Sequence, residues 1–398
     1  MTTATPPPTT TPTTPLLPAT DIPDARPTPA RIAFREEVRA LLRSPAVQEE
    51  VDGIRRFPPG REPGLLTTYR LLGERGWLAP SWPKRYGGAG LGHYDSAVVT
   101  EEMILAGVPD DAHVLSVDIV GRFVLDSGTD AQRERLLPPL ARGERIATVL
   151  FTEPQAGSDL GRMTTRAEPD GEGAWRLYGT KVFNQKSGFA DTALCAAITV
   201  PGTMPGIGLF LLPLRSPGVT IRTLPNLTDD AFCEISIDGV RLTREDVVGE
   251  VDDGWRLMNE LLLLERTGID FHAKIRHWLD SVADAVPERL RERYAALDAR
   301  LAAGHALAWR MVTELDAGRT DPVLAAMAKW YVTEQAREVA RFCLELRGRD
   351  GLLTNQDPDA PDLGRIERAL RYAPTLTLAS GTSEVMLRAI ATSHLELL

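Results

Sequence analysis

The chain has 398 residues, 43% of them apolar and 25% charged, with a formal net charge of −10. That acidity, with no Lys/Arg stripe to offset it, excludes bulk electrostatic binding of nucleic acid, and no apolar run approaches the roughly 20 residues that span a bilayer. The length suffices for two or three domains around a substantial core.

In chain order, residues 1–29 are Thr/Pro low complexity with little to bury, and read as a disordered tail. The tail lacks the basic start and continuous apolar stretch of a secretory signal, so a cytoplasmic protein is expected. From 30 to 147 apolar residues recur at spacings of three and four, as in "RIAFREEVRALLRS" and "SAVVTEEMILAGV", which predicts a helical domain. Its main irregular stretch is "PSWPKRYGGAGLG". From 148 to 247 the texture changes to short β-prone runs broken by turn residues, among them "TVLFTEP", "AWRLYGTKVFNQ", "DTALCAAITV" and "IGLFLLPL". That spacing predicts a compact all-β module. Helical periodicity returns over 248–398, and no internal repeat has a fixed period. The expected fold class is therefore mainly α with a central β domain.

Cys195, Cys233 and Cys343 are sparse and odd in number, which fits a reducing compartment and gives no disulfide framework. The six histidines show no ligand spacing, and His272 and His277 are five apart rather than the three or four that share a helix face. On spacing, no metal site is expected.

Chemistry concentrates in two stretches. "LFTEPQAGSDLGRMTTRAE" runs from a strand into a small-residue loop, which either exposes N–H groups and hydroxyls to a ligand's oxygens or is a plain capped β-turn. "TLTLASGTSEVMLRAI" breaks an apolar helical run at Ser380-Gly381-Thr382. With "RGWLAPSWPKRYGGAGL", "GTKVFNQKSGFAD", "VVGEVDDGW" and "LLER", these segments resemble, in order and over residues 30–398, the acyl-CoA dehydrogenase family.

The resemblance implies an N-terminal helical domain, a central β-barrel or sandwich and a C-terminal four-helix bundle. FAD would lie between the last two, usually completed by a neighbouring subunit of a homodimer or homotetramer. The implied reaction is α,β-dehydrogenation of an acyl thioester of coenzyme A or a carrier protein, the electron acceptor being unspecified. A carboxylate takes the α-proton and the flavin takes the β-hydride.

Residue by residue, Phe151 and Thr152 would flank the flavin, and Gly157 and Ser158 would line it and the thioester channel. Phe183 stands where Trp is usual, Gln185 where a hydroxyl commonly meets the flavin, and Thr382 and Glu384 at positions that touch the cofactor. Many members carry their base directly before the Gly-Thr turn, where this chain has Ser380. A serine without an activating His or Lys is too weak a base and is expected to be wall. A second branch places the base in an "ER" pair, matched here by Glu265 and Arg266 after four leucines. Burial would raise the pKa of Glu265 while Arg266 opposes the rise, and a merely structural Glu–Arg pair is the plainer alternative.

The family's R-x-x-F-G motif, whose Arg meets the FAD pyrophosphate, has no match in "VADAVPERLRERYAALDARL". The expected Gln and paired Gly appear as Glu345, Gly348 and Arg349, of which Arg349 would offset Glu345 if it points inward. These departures leave two alternatives. One is an FAD-poor subunit of a heteromeric dehydrogenase, or a scaffold put to non-redox chemistry. The other is a flavin oxygenase or oxidase, which needs no α-proton base.

Overall fold

The computed structural model describes residues 27–58, 60–202, 205–228 and 230–393, with the side chains of 261–265 outside the description. The Thr/Pro tail expected over 1–29 thus lies almost entirely outside the described residues. At its end Thr28 already serves the fold, because its Oγ1 accepts from Arg31 N at 3.3 Å and Pro29 opens the first helix.

Among the described residues, seven α-helices come before the sheet: α1 (Pro29–Leu42), α2 (Pro45–Arg55), α3 (Thr67–Gly73), α4 (His93–Leu105), α5 (Asp111–His113), α6 (Arg122–Ser127) and α7 (Asp130–Ala141). A π-helical stretch, Val114–Gly121, joins α5 to α6 with helical dihedrals at both junctions. Helix α7 starts at a reciprocal cap, with Gln132 N donating to Thr129 Oγ1 (3.2 Å) and Thr129 N to Gln132 Oε1 (2.9 Å). The Gln132 amide also donates to the carbonyls of Glu245 (2.8 Å) and Val247 (2.9 Å), which fastens these helices to the far end of the β region.

The strands are β1 (Ala147–Leu150), β2 (Arg166–Pro169), β3 (Ala174–Asn184), β4 (Thr192–Val200), β5 (Gly206–Pro213), β6 (Val219–Thr223) and β7 (Cys233–Thr243). They form one seven-stranded sheet in the order β1-β4-β2-β3-β7-β6, with β5 on the other side of β4. The sheet is mixed, since β4 pairs parallel to β1 and β2 while the remaining pairs are antiparallel. Leu194–Ala197 and Leu209–Leu212 are buried on both faces, so β4 and β5 read as unbroken apolar runs rather than alternating ones.

The C-terminal bundle comprises α8 (Gly254–Glu265), α9 (Ile269–Asp280), α10 (Arg291–Asp316), α11 (Pro322–Glu334), α12 (Ala336–Arg347), α13 (Arg365–Leu376) and α14 (Ser383–Ser393). One apolar core runs from α1 through the sheet and takes in Leu257 and Met258 of α8. A second fills the bundle from α9 to α13. All three cysteines are free and buried, and burial pushes the Cys195 thiol up to about 11 and the Cys343 thiol up to about 12. Among the described residues no helix is long and apolar enough to cross a membrane.

Candidate active site

The strand-to-loop stretch is organised by a buried ion pair that sequence reading did not single out. Glu153, 2% exposed, accepts at Oε1 from Lys181 Nζ and Thr165 N, each at 2.9 Å. At Oε2 it accepts from Thr164 N (2.7 Å), Thr164 Oγ1 (2.9 Å) and Gln155 Nε2 (2.6 Å). Burial alone would raise this carboxyl, but the Lys181 charge and the hydrogen bonds outweigh it and hold Glu153 at about 2. Lys181 also donates to the Phe151 carbonyl at 3.1 Å, and Val182 N to the Thr152 carbonyl at 2.9 Å. Phe151 and Thr152 are thereby docked on β3, half-buried. The loop closes through reciprocal bonds between Glu153 and Ala156 and displays Gly157 and Ser158 to solvent. Space is open for 4 Å around the point where a Gly157 Cβ would stand.

On β3 the pairing with β7 slips between Lys181 and Asn184, and in that slip Phe183 takes a left-handed φ of 59° and stands 64% exposed. A bulky residue in that conformation is strained, and the fold uses the strain to turn an aromatic ring outward. Gln185 follows, half-buried, with its Nε2 3.4 Å from Asp230 Oδ2. Asp230 also faces Arg368 of α13 at 3.7 Å, so it links the sheet to the bundle. Burial pushes the Asp230 carboxyl up to about 6, with Asp111 adding to the rise and Arg368 opposing it. Asp230, Lys186, Asp110, Lys274 and Tyr372 wall a cavity of ≈ 230 Å³ beside this point.

The Ser380-Gly381-Thr382 break lies between α13 and α14. Ser380 and Gly381 have φ values of 56° and 95°. Two cations fix their carbonyls: Arg266 Nε donates to Ser380 O at 2.8 Å, and Lys329 Nζ to Gly381 O at 2.7 Å. Lys329 is 0% exposed, on α11, and was not picked out from sequence; its signal was a lone lysine inside the apolar run "VLAAMAKWYV". Thr382 Oγ1 accepts from Val385 N at 3.3 Å and so caps α14. The exposed carboxyl of Glu384 is lowered by its own backbone N–H and by the Thr382 hydroxyl. A Cβ on Gly381 would stand 2.8 Å from Met386 Cε and 3.0 Å from Arg266 NH2. Gly381→Ala is therefore expected to destabilise by about 1–3 kcal/mol and to displace Arg266, whereas Gly157→Ala fits without a clash. Thermal denaturation of the two variants, each against the parent, checks the contrast.

The structure thus brings Arg266 to Ser380, and docks Phe151 and Thr152 on β3, which carries Phe183 and is followed by Gln185; Gly157 and Ser158 stand exposed on the loop after Thr152. Glu265 closes α8 one residue before Arg266, but its side chain lies outside the described residues. Arg349 does not join these residues. It is exposed on the 3-10 turn Gly348–Leu352 after α12, and the neighbouring Glu345 carboxylate is paired with Arg293.

Helices, a mixed sheet and a helical bundle make the frame that holds this loop and this turn. Three family descriptions match consecutive stretches of the chain: acyl-CoA dehydrogenase N-terminal domain over 28–144, middle domain over 148–240 and C-terminal domain over 252–395. The chain belongs to the acyl-CoA dehydrogenase family, whose members are FAD flavoproteins.

Among its relatives is acyl-CoA dehydrogenase FadE26 of Mycobacterium tuberculosis, 29% identical over 388 residues, 90% of this chain and 94% of that protein. Among solved structures, the Tcur3481-Tcur3483 steroid ACAD superposes with a TM-score of 0.85 at 29% identity, covering 94% of this chain and 99% of that one. The ChsE4-ChsE5 complex from Mycobacterium tuberculosis does so with a TM-score of 0.78 at 26% identity, covering 94% and 99%.

Taken one by one, the exposed residues of β3 and of the loop after Thr152 suit a flat aromatic cofactor. The outward Phe183 ring offers a face, Gly157 leaves room for close approach, and Ser158 is exposed beside it. The residues expected at the pyrophosphate differ: Glu345 is engaged by Arg293, and Arg349 points to solvent.

Proposed function

We propose that the chain dehydrogenates an acyl thioester across Cα–Cβ, with Glu265 accepting the α-proton. The observation that supports this most is the tether between Arg266, the residue after Glu265, and the carbonyl of Ser380. It holds the end of α8 against the turn whose Ser380 cannot itself serve as the base. Because each peptide unit is planar and trans, the carbonyls held by Arg266 and Lys329 turn the Gly381 and Thr382 N–H groups the opposite way. Those two amides are suited to polarise a thioester carbonyl, which acidifies the α C–H that Glu265 must deprotonate. Ser380 is wall in this scheme. Phe151, Thr152, Gly157, Ser158, Phe183, Gln185, Thr382 and Glu384 would hold the flavin ring, with Ser158 also facing the thioester. FAD, when bound, supplies the acceptor for the hydrogen that leaves Cβ. FadE26's name supports coenzyme A as the acyl carrier.

The test is the visible spectrum of the purified chain after incubation with FAD and desalting, followed by anaerobic addition of acyl-CoA thioesters. A retained flavin spectrum that bleaches with a thioester is expected; retained flavin that no thioester bleaches would sink the proposal.

A second reading is that a different partner chain completes the cofactor site. The exposed Arg349 and the engaged Glu345 favour it, as do the two-chain names of both structural relatives. It predicts that this chain alone loses FAD on desalting and retains it when copurified with its partner.

A further inference from the structure

Away from the sheet, three side chains converge where the N-terminal helices meet the bundle: Glu101 of α4, His272 of α9 and His305 of α10. One potential ligand atom from each lies within 4.8 Å of the other two. Glu101 Oε1 stands 2.9 Å from His305 Nε2, and the two imidazole rings are 4.7 Å apart between centroids. Glu101 and His272 are 3% and 5% exposed, and all three residues border a cavity of ≈ 280 Å³. His272 Nδ1 is buried and without a hydrogen-bond partner.

We propose that Glu101, His272 and His305 form a binding site for a divalent transition metal of the Zn²⁺ type. Two imidazoles and one carboxylate are a common donor set for that ion, and the adjoining cavity leaves a fourth position for water. Ligation takes the unprotonated imidazole, so the metal competes with protons for these rings. Arg35 holds the other carboxylate oxygen, with its NH1 2.6 Å from Glu101 Oε2, which leaves Oε1 directed at His305. A cation there orients a ligating carboxylate as outer-shell groups do. Trp309 Nε1 lies 2.8 Å from His305 Nε2 and 3.3 Å from Glu101 Oε1. With Nε2 committed to a metal, Glu101 Oε1 remains as the acceptor for the indole N–H. Bound metal would pin α4 to α9 and α10. Short-range spacing does not reveal the site because its ligands come from three helices distant in sequence.

The untagged full chain, stripped with a chelator and desalted, would be titrated with Zn²⁺ alone by calorimetry at neutral pH. One Zn²⁺ per chain is expected. Binding should weaken at least about 10-fold in His305→Ala, since even outer-shell changes cost that much. His305 is partly exposed, so this variant should fold, as circular dichroism would verify; His272→Gln tests the buried ligand. In Co²⁺-loaded protein the visible absorption of a four-coordinate site is expected in the parent and absent in His272→Gln. No Zn²⁺ binding by the parent would overturn the proposal and leave a hydrogen-bonded cluster. So would equal stoichiometry and affinity in His305→Ala, which would place the ion elsewhere.

Discussion

Glu265→Gln is expected to lower turnover on an active thioester by about 10²–10⁴-fold, the usual contribution of a positioned general base. The amide keeps the shape of the carboxylate and loses only its basicity, so flavin retention and thermal stability should change little. A second readout isolates proton transfer. The parent should exchange the thioester α-hydrogen with deuterium from D₂O, and the variant should not. Unchanged turnover in Glu265→Gln would remove Glu265 as the base and leave it half of a structural pair with Arg266. Ser380→Ala is the matched control, since wall contributes no proton acceptor and most of the activity should survive.

Lys181→Met is expected to cost about 3–5 kcal/mol, because it leaves the Glu153 carboxylate buried without its counter-ion. Lys181 and Glu153 have side chains 0% and 1% exposed, so solvent screens little of the loss. Since Lys181 also holds the Phe151 carbonyl, the variant should loosen the Phe151–Ser158 segment and weaken flavin retention along with stability. The double change Glu153→Gln with Lys181→Met should recover part of the stability, because it removes the orphaned charge. Urea denaturation of both variants checks this; a single variant as stable as the parent would refute it. The pH dependence follows from a carboxyl whose folded value is depressed. Its stabilisation is complete above the ordinary value of 4.5 and is lost as pH falls toward about 2.

What was legible in the sequence was whatever is encoded locally. Helical periodicity, the run of short strands and the loop and turn motifs each report on neighbours within about a dozen residues. The order helical, β, helical therefore came through. The parallel pairing of β4 with β1 and β2 did not, because register between distant strands leaves no local mark. The same limit separates the site residues. Ser380, Arg266 and the "FTEP" loop stood out by motif. Lys329 and Lys181 donate to carbonyls and a carboxylate, and Asp230 accepts from the Gln185 amide, across separations of 28 to 52 residues that no spacing rule connects. Phe183 was recognised as an aromatic position, but the left-handed backbone that exposes it belongs to the pairing of β3 with β7.

Helix α8 is rooted in two blocks at once. Its first turns, through Leu257 and Met258, belong to the apolar mass shared by the sheet and the N-terminal helices. Just past its last residue, Arg266 is moored to the turn that ends α13 in the bundle. Glu265 therefore rides on a strut between two bodies rather than on the surface of either. Small slippage of one body against the other would change the position of Glu265, the proposed base, without breaking either interior. Wear in this enzyme would then show first as lost alignment, in a protein still fully folded.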